Sequence, residues 1–423
     1  MRNHDRLLSA LLGSLIVLVL MSFTASAEQV TLKYMIWDPS IKDTEINEVI
    51  KPFEAANPNI KIEFEAIPWE AYWQKVQTLS AAGTPPDVFN MSVAYAWDFA
   101  NKGLIKNLQP MLDMEFEMDD YFGDVVDILR YNGDAYCFPF AWVCSVLYYN
   151  KDMFDAAGLD YPDETWNWND LLDAAKVLTV DTNKDGRPDQ WGFLSDYNHE
   201  VLDSLIKSNG GQVLSSDFST CELNSPEAIE ATQFLVDMIN KHEVSPSPAL
   251  LLQGAPDPFL TGRVAMRVAG SYFIDTYRTI KAFDWDITMV PQNSKTGIRS
   301  IYGGPDSVVI GSKTKYPKEA WEFVKFIIGK NRTVESFMGG KVPIYKPLAY
   351  SDGWLEIGKK PENKRAILDS AQHVQGADFS SQWAEWRMTV MNNELQPAFL
   401  GEKPVDACIK SATEAINKVL ATH

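Results

Sequence analysis

The side chains able to do chemistry in this chain point to binding rather than turnover. The five histidines stand at no spacing that would join a serine and a carboxylate into a nucleophile, and no pair of carboxylates is marked out for acid–base work across a bond. Cys137, Cys144, Cys221 and Cys408 make no C-x-x-C pair and have no histidine at metal spacing, so zinc is not expected. The four allow three complete disulfide pairings, among which the sequence does not choose. Asp181-Thr182-Asn183-Lys184-Asp185-Gly186-Arg187-Pro188-Asp189 has the oxygen spacing of a calcium loop, but Gly192 stands where a bidentate Glu is wanted. It reads as an Asx-rich turn, with calcium left open. Aromatic rings are plentiful, with 13 Trp and 16 Tyr. Three short stretches set small polar groups or a ring where strand-like runs end: Trp37-Asp38, Asn90-Met91-Ser92 and Gly270-Ser271-Tyr272. Flat rings beside fixed hydrogen-bonding groups can hold a ligand without transforming it.

The elements that would position these groups are legible from periodicity. Val30 to Met35 is a strand candidate, Ile60 to Ala66 alternates with period two, and Asp87 to Met91 is a third short strand. Helical stripes lie between them: Ile46, Val49, Ile50 and Phe53, then Trp69, Trp73, Val76 and Leu79. Such alternation implies a mostly parallel sheet flanked by helices, with ligands beyond the carboxyl ends of the strands. Ala135 to Asn150 is too long and apolar for one ordinary strand and contains Pro139, so it reads as two strands in two sheets with a crossing near Phe140-Ala141-Trp142. Gly303-Gly304 before Val308 to Ile310 suits a second crossing, since glycine tolerates the backbone angles required. Trp383 and Trp386, three apart in a helical pattern, should share a face.

Residues 1–27 have the layout of a cleaved signal peptide: Arg2 and Arg6, the apolar run Leu7 to Phe23, and the small-residue site Ala25-Ser26-Ala27. No Cys follows to take a lipid. No later apolar run reaches the roughly 20 residues of a membrane span. A net charge of -19 argues against nucleic acid and anionic membrane surfaces as partners. The remaining length exceeds what one core usually serves, which favours two lobes with a cleft.

The order of these features resembles the extracellular solute-binding proteins of family 1, the sugar-binding components of ABC importers. The residues carrying the resemblance are Phe53 to Ile62 (FEAANPNIKI), Ala81 to Val88 (AAGTPPDV), Gly103 to Leu108 (GLIKNL), Tyr136 to Pro139, Leu147 to Asn150, Asp189 to Phe193, Phe259 to Met266 (FLTGRVAM) and Ala320 to Val324. They run collinearly across the whole mature chain. The resemblance implies an α/β, two-lobe type II periplasmic-binding-protein fold, each lobe a mostly parallel sheet flanked by helices, with extra carboxyl-terminal helices. Expected boundaries are 1–27 for the signal peptide, 28–141 plus 304–338 for the first lobe, and 142–303 plus 339–423 for the second.

It also implies a ligand set: Trp37 and Asp38 after the first strand, Asn90 and Ser92 after the third, Trp142, Gly304 and Asp306 in the crossings, Tyr272 stacking on sugar, and Trp383 or Trp386 with Arg387 from the terminal helices. Sugars have apolar C–H faces and polar rims, which suits this set. Where related sugar binders carry an acidic residue after the first crossing proline, this chain has Trp142-Val143, which leaves the sugar's identity open. The expected partners are a mono- or oligosaccharide and an inner-membrane ABC permease. The protein should be a periplasmic monomer with no cofactor, resident metal or catalytic residue. A receptor for a polyamine or another small cation is the alternative, and a secreted glycoside hydrolase the more remote one.

Overall fold

The structure is a computed structural model that describes residues 29–115, 118–127, 129–249, 256–329, 332–337, 340–375, 378, 380 and 382–421. The proposed signal peptide lies outside the described residues. Among the described residues, no helix is long and apolar enough to cross a membrane.

The amino-terminal half builds the expected parallel sheet. β1 (Val30–Ile36) pairs with β2 (Ile60–Ala66), with Val30 opposite Ile60 and Ile36 opposite Ala66. On its other side β1 runs parallel to β3 (Val88–Ser92), with Tyr34 opposite Val88. Helix α1 (Trp69–Ala81) connects β2 to β3 and buries Tyr72, Trp73 and Val76, one side of its apolar stripe. Helix α2 (Val93–Asn101) leaves β3 directly, and Ser92 caps it by accepting from the Ala94 N–H at 3.4 Å.

The long apolar segment forms β4 (Phe138–Asn150), one uninterrupted strand rather than the two expected. It is followed by β5 (Trp191–Leu194), β6 (Val264–Gly270), β7 (Trp285–Thr288) and β8 (Ile301–Ile310). β4 still crosses between sheets, because it changes neighbours along its length. From Phe138 to Cys144 it pairs with β8, and from Ser145 onward with β6 and β7. Pro139 is accommodated because the β4–β8 register shifts between Asp306 and Ser307, just where the proline falls. β8 is the second crossing strand: Asp306 to Ile310 pair with β3, Gly303 to Val308 with β4. The strand order is β2-β1-β3-β8-β4-β6-β5, with β7 also on β4. In the first half only β8 opposes its neighbours, and in the second only β4 does, so each half is mostly parallel.

The carboxyl-terminal region is helical. Asn392–Phe399 packs against Val405–Leu420, whose Val405, Cys408, Ile409, Ala412, Ile416 and Val419 are buried at three- and four-residue spacing. All four cysteines are free and buried, so none of the three pairings forms. In the Asp181–Asp189 loop the side chains of Asp181, Asn183 and Asp189 accept hydrogen bonds from the loop's own backbone and from Thr182, the pattern of an Asx turn. Among the described residues, no group of three or more His, Cys, Asp or Glu is arranged to hold a metal.

Candidate functional site

The carboxyl ends of β1, β3 and β6 face one another across a cleft floored by the two crossing strands. The cleft holds a cavity of about 610 Å³ and, beside it, a second chamber of about 400 Å³. Asp38, Tyr272 and Lys341 border both.

One wall is aromatic. Trp37, immediately after β1, lies 5.3 Å edge-on to Trp69 and 6.0 Å stacked on Trp73, whose far face carries Tyr95 at 4.0 Å. Asp38 accepts from the Ser40 N–H at 3.0 Å and so caps the short turn Pro39–Ile41. Ser92 borders the main cavity, while Asn90 borders the second chamber. Behind Asn90 the Tyr72 hydroxyl donates to its carbonyl at 2.5 Å, and the Tyr34 hydroxyl, which donates to Glu45 at 2.8 Å, sits 3.4 Å from its side-chain oxygen.

The opposite wall comes from β6 and the terminal helices. Tyr272 remains 45% exposed in the cleft. Its hydroxyl donates to Glu200 Oε1 at 2.6 Å, while the Gly270 N–H donates to Oε2 at 3.1 Å. Gly270 has to be glycine, since a Cβ there would stand 2.1 Å from the Tyr272 ring. Trp383 meets His199 edge-on at 5.2 Å, and His199 meets Tyr302 at 4.7 Å. Burial pushes the His199 imidazole down to about 3, with Arg387 adding to the shift, so it is neutral at physiological pH. On the floor, Gly304 lines the cavity and Asp306 pairs with Lys341 at 3.1 Å.

Of the residues expected from the sequence, Trp37, Asp38, Ser92, Tyr272, Gly304, Asp306 and Trp383 surround the main cavity, and Asn90 the adjoining chamber. Three lie elsewhere. Trp142 is 1% exposed and packs on Phe122 at 5.6 Å, and Val143 borders the cavity instead, because side chains alternate faces along a strand. Trp386 and Arg387 are fully buried. The Trp386 indole N–H donates to Ser380 Oγ at 2.8 Å, while Arg387 pairs with buried Asp203 at 2.8 Å and donates to Asn392 at 2.8 Å. The spacing argument misplaced Trp386 because Ala384–Met391 is π-helical. In that wider turn positions five apart align, which brings Met388 rather than Trp386 beneath Trp383.

Sequence reasoning missed Trp69, Tyr95, His199, Glu200, Tyr302, Lys341 and Met388 as cavity neighbours. Trp69 was legible only as part of a core stripe, although its place at the first residue of α1 exposes it. His199 and Glu200 carry no periodic signal at all.

The chain matches the model of the bacterial extracellular solute-binding proteins over residues 38–331. A putative binding protein of Brucella abortus is 26% identical over 419 residues, covering 96% of this chain and 98% of that one. The sn-glycerol-3-phosphate-binding periplasmic protein of Escherichia coli is 25% identical over 402 residues, 89% of either chain. Among solved structures, an ABC substrate-binding protein of Listeria monocytogenes in complex with cycloalternan superposes with a TM-score of 0.81 at 25% identity, covering 93% of this chain and 100% of that one. That likeness makes the fold a type II periplasmic binding protein, two α/β lobes hung on crossing strands. With its sheets, crossings and cleft arranged in this way, and with the family model matched across both lobes, the chain belongs to the bacterial extracellular solute-binding proteins.

Proposed function

We propose that the protein captures a carbohydrate between its lobes, closes over it and hands it to an ABC permease. One observation carries this reading: aromatic rings from both walls, Trp37 and Trp69 on one side and Tyr272 and Trp383 on the other, converge on a single cavity that also presents Asp38, Glu200 and Asp306. Rings cover the apolar face of a pyranose, and carboxylates accept from its hydroxyls. The bound cycloalternan of the Listeria relative is a sugar, which supports the same assignment. A phosphorylated ligand like that of the Escherichia coli relative suits this cavity poorly. Its one lysine, Lys341, is already paired with Asp306, and the other charged groups are acidic.

In this reading residues 1–27 direct export and are removed, the mature chain acts in the periplasm as a monomer, and no turnover occurs. The lobes comprise 28–141 plus 304–338 and 142–303 plus 339–423. A ligand touching both stabilises the closed state by its differential affinity for it. A thermal-shift screen of mono- and oligosaccharides should identify one that raises the melting temperature, and that sugar should shrink the radius of gyration in X-ray scattering. Failure of every saccharide to stabilise the protein, or binding without compaction, would refute the proposal.

A further inference from the structure

Glu200 is the least expected group in the cleft. It is 4% exposed, borders the main cavity, and among the described residues has no ion-pair partner. Its two donors, the Tyr272 hydroxyl and the Gly270 N–H, are both neutral. The guanidinium of Arg267, whose charge reaches Glu200, has its own partners: it pairs with Asp257, lies 2.5 Å from the Tyr277 hydroxyl and sits 4.5 Å over the Phe273 ring. A buried carboxylate is ordinarily paired with a cation. On its cavity side stand the rings of Tyr272, Tyr302 and Trp383 and the neutral imidazole of His199, which meets Tyr302 and Trp383 edge-on.

Acidic groups outnumber basic ones in the rest of the cleft. Besides Glu200, the described residues of the two chambers carry Asp38, Glu45, Asp275, Asp306 and Glu335 against Arg332 and Lys341. Both cations are already paired, Arg332 with Glu45 at 3.1 Å and Lys341 with Asp306 at 3.1 Å. Such a cleft concentrates cations, and an aromatic cage closed by one buried carboxylate is the chemistry that recognises an ammonium group.

We propose that the end of the cavity formed by Glu200, Tyr272, Tyr302 and Trp383 is an ammonium subsite, and that the ligand is a carbohydrate carrying a protonated amine. The inference rests on the carbohydrate reading and narrows it. The amine sits against the Glu200 carboxylate with the rings on its flanks, while the sugar's apolar face meets Trp37 and Trp69 across the cleft.

Calorimetry on the mature protein with matched ligands tests it: glucosamine against N-acetylglucosamine, and the β-1,4-linked dimers and trimers of each. The amines should bind about tenfold or more tightly than their acetylated counterparts. Glu200→Gln, which keeps an acceptor for Tyr272, should bring the ratio close to one, with circular dichroism confirming the fold. Acetylated sugars binding as tightly as amines, or an undiminished preference in Glu200→Gln, would each overturn the subsite while leaving the carbohydrate reading intact. Binding of putrescine and spermidine with no saccharide bound would keep the ammonium subsite and overturn the carbohydrate reading. Binding of none of these ligands would overturn the subsite, and the carbohydrate reading with it if every other saccharide of the thermal-shift screen fails as well.

Discussion

Arg387 is the residue for which an expected ligand role and the observed geometry diverge most, so its replacement is the sharpest test. Its guanidinium is fully buried, bonds both oxygens of Asp203 through Nε at 2.9 and 3.0 Å, and reaches Asn392 and the Tyr197 carbonyl. Arg387→Met keeps most of the volume and leaves Asp203 as an uncompensated buried carboxylate, a change that costs about 3–5 kcal/mol in comparable sites. That is a large fraction of the roughly 5–15 kcal/mol by which a typical domain is stable. The loss should shift the urea midpoint markedly, while the affinity of the folded protein for its ligand should change only a few-fold, through slight movement of the His199 and Trp383 wall.

The pH dependence has a definite sign. Burial already holds the Asp203 carboxyl above its ordinary range despite Arg387. Without Arg387 the rise is larger, and an acid whose folded value is raised stabilises the fold below its unfolded value and loses that contribution as pH rises through the folded one. The deficit of Arg387→Met should therefore shrink as pH falls from 7 toward 4, and Asp203→Asn in the same background should restore part of the stability at pH 7. A variant with unchanged urea midpoint and strongly reduced affinity would refute the reasoning and place Arg387 at the ligand.

Three further outcomes follow from the same geometry. Trp142→Ala should cost about 3–5 kcal/mol of stability as a core truncation, read from denaturant unfolding, with affinity in the folded fraction nearly intact. Tyr272→Ala should weaken carbohydrate binding by about 2 kcal/mol or more in calorimetry, the scale of an aromatic anchor at the centre of an interface, with little change in melting temperature because the ring is half exposed. His199, held near 3, favours its neutral form in the fold, so it contributes stability above its unfolded value near 6.5 that is lost as pH falls. Wild-type protein should consequently lose more stability between pH 6.5 and 4 than His199→Phe, and equal acid sensitivity of the two would contradict the neutral assignment.

Much of the frame was legible because it depends on local periodicity. Strands β1 to β3, their intervening helices and the turns ending at Trp37 and Ser92 follow from alternation and capping that any short window of sequence displays. Placing ligand groups at carboxyl strand ends then brought Trp37, Asp38, Ser92 and Tyr272 to the cavity. Reading β4 as two strands underestimated how a register shift absorbs Pro139, a property of the pairing with β8 rather than of β4.

What the amino-acid sequence determines by itself is the kind of molecule: an acidic chain with an export-like leader, two α/β halves, and no spacing suited to a nucleophile or a zinc site. The tertiary structure alone decides which aromatic faces the cleft. Trp142 and Val143 differ by one strand position, and Trp383 and Trp386 by less than one π-turn, yet one of each pair borders the cavity and the other is core. Glu200 is the extreme case. Nothing around it in sequence distinguishes it, because its environment is assembled from β6, β8 and the terminal helices, each brought from a distant part of the chain. A buried carboxyl group and the rings that face it are facts about space, and no local pattern of residues encodes them.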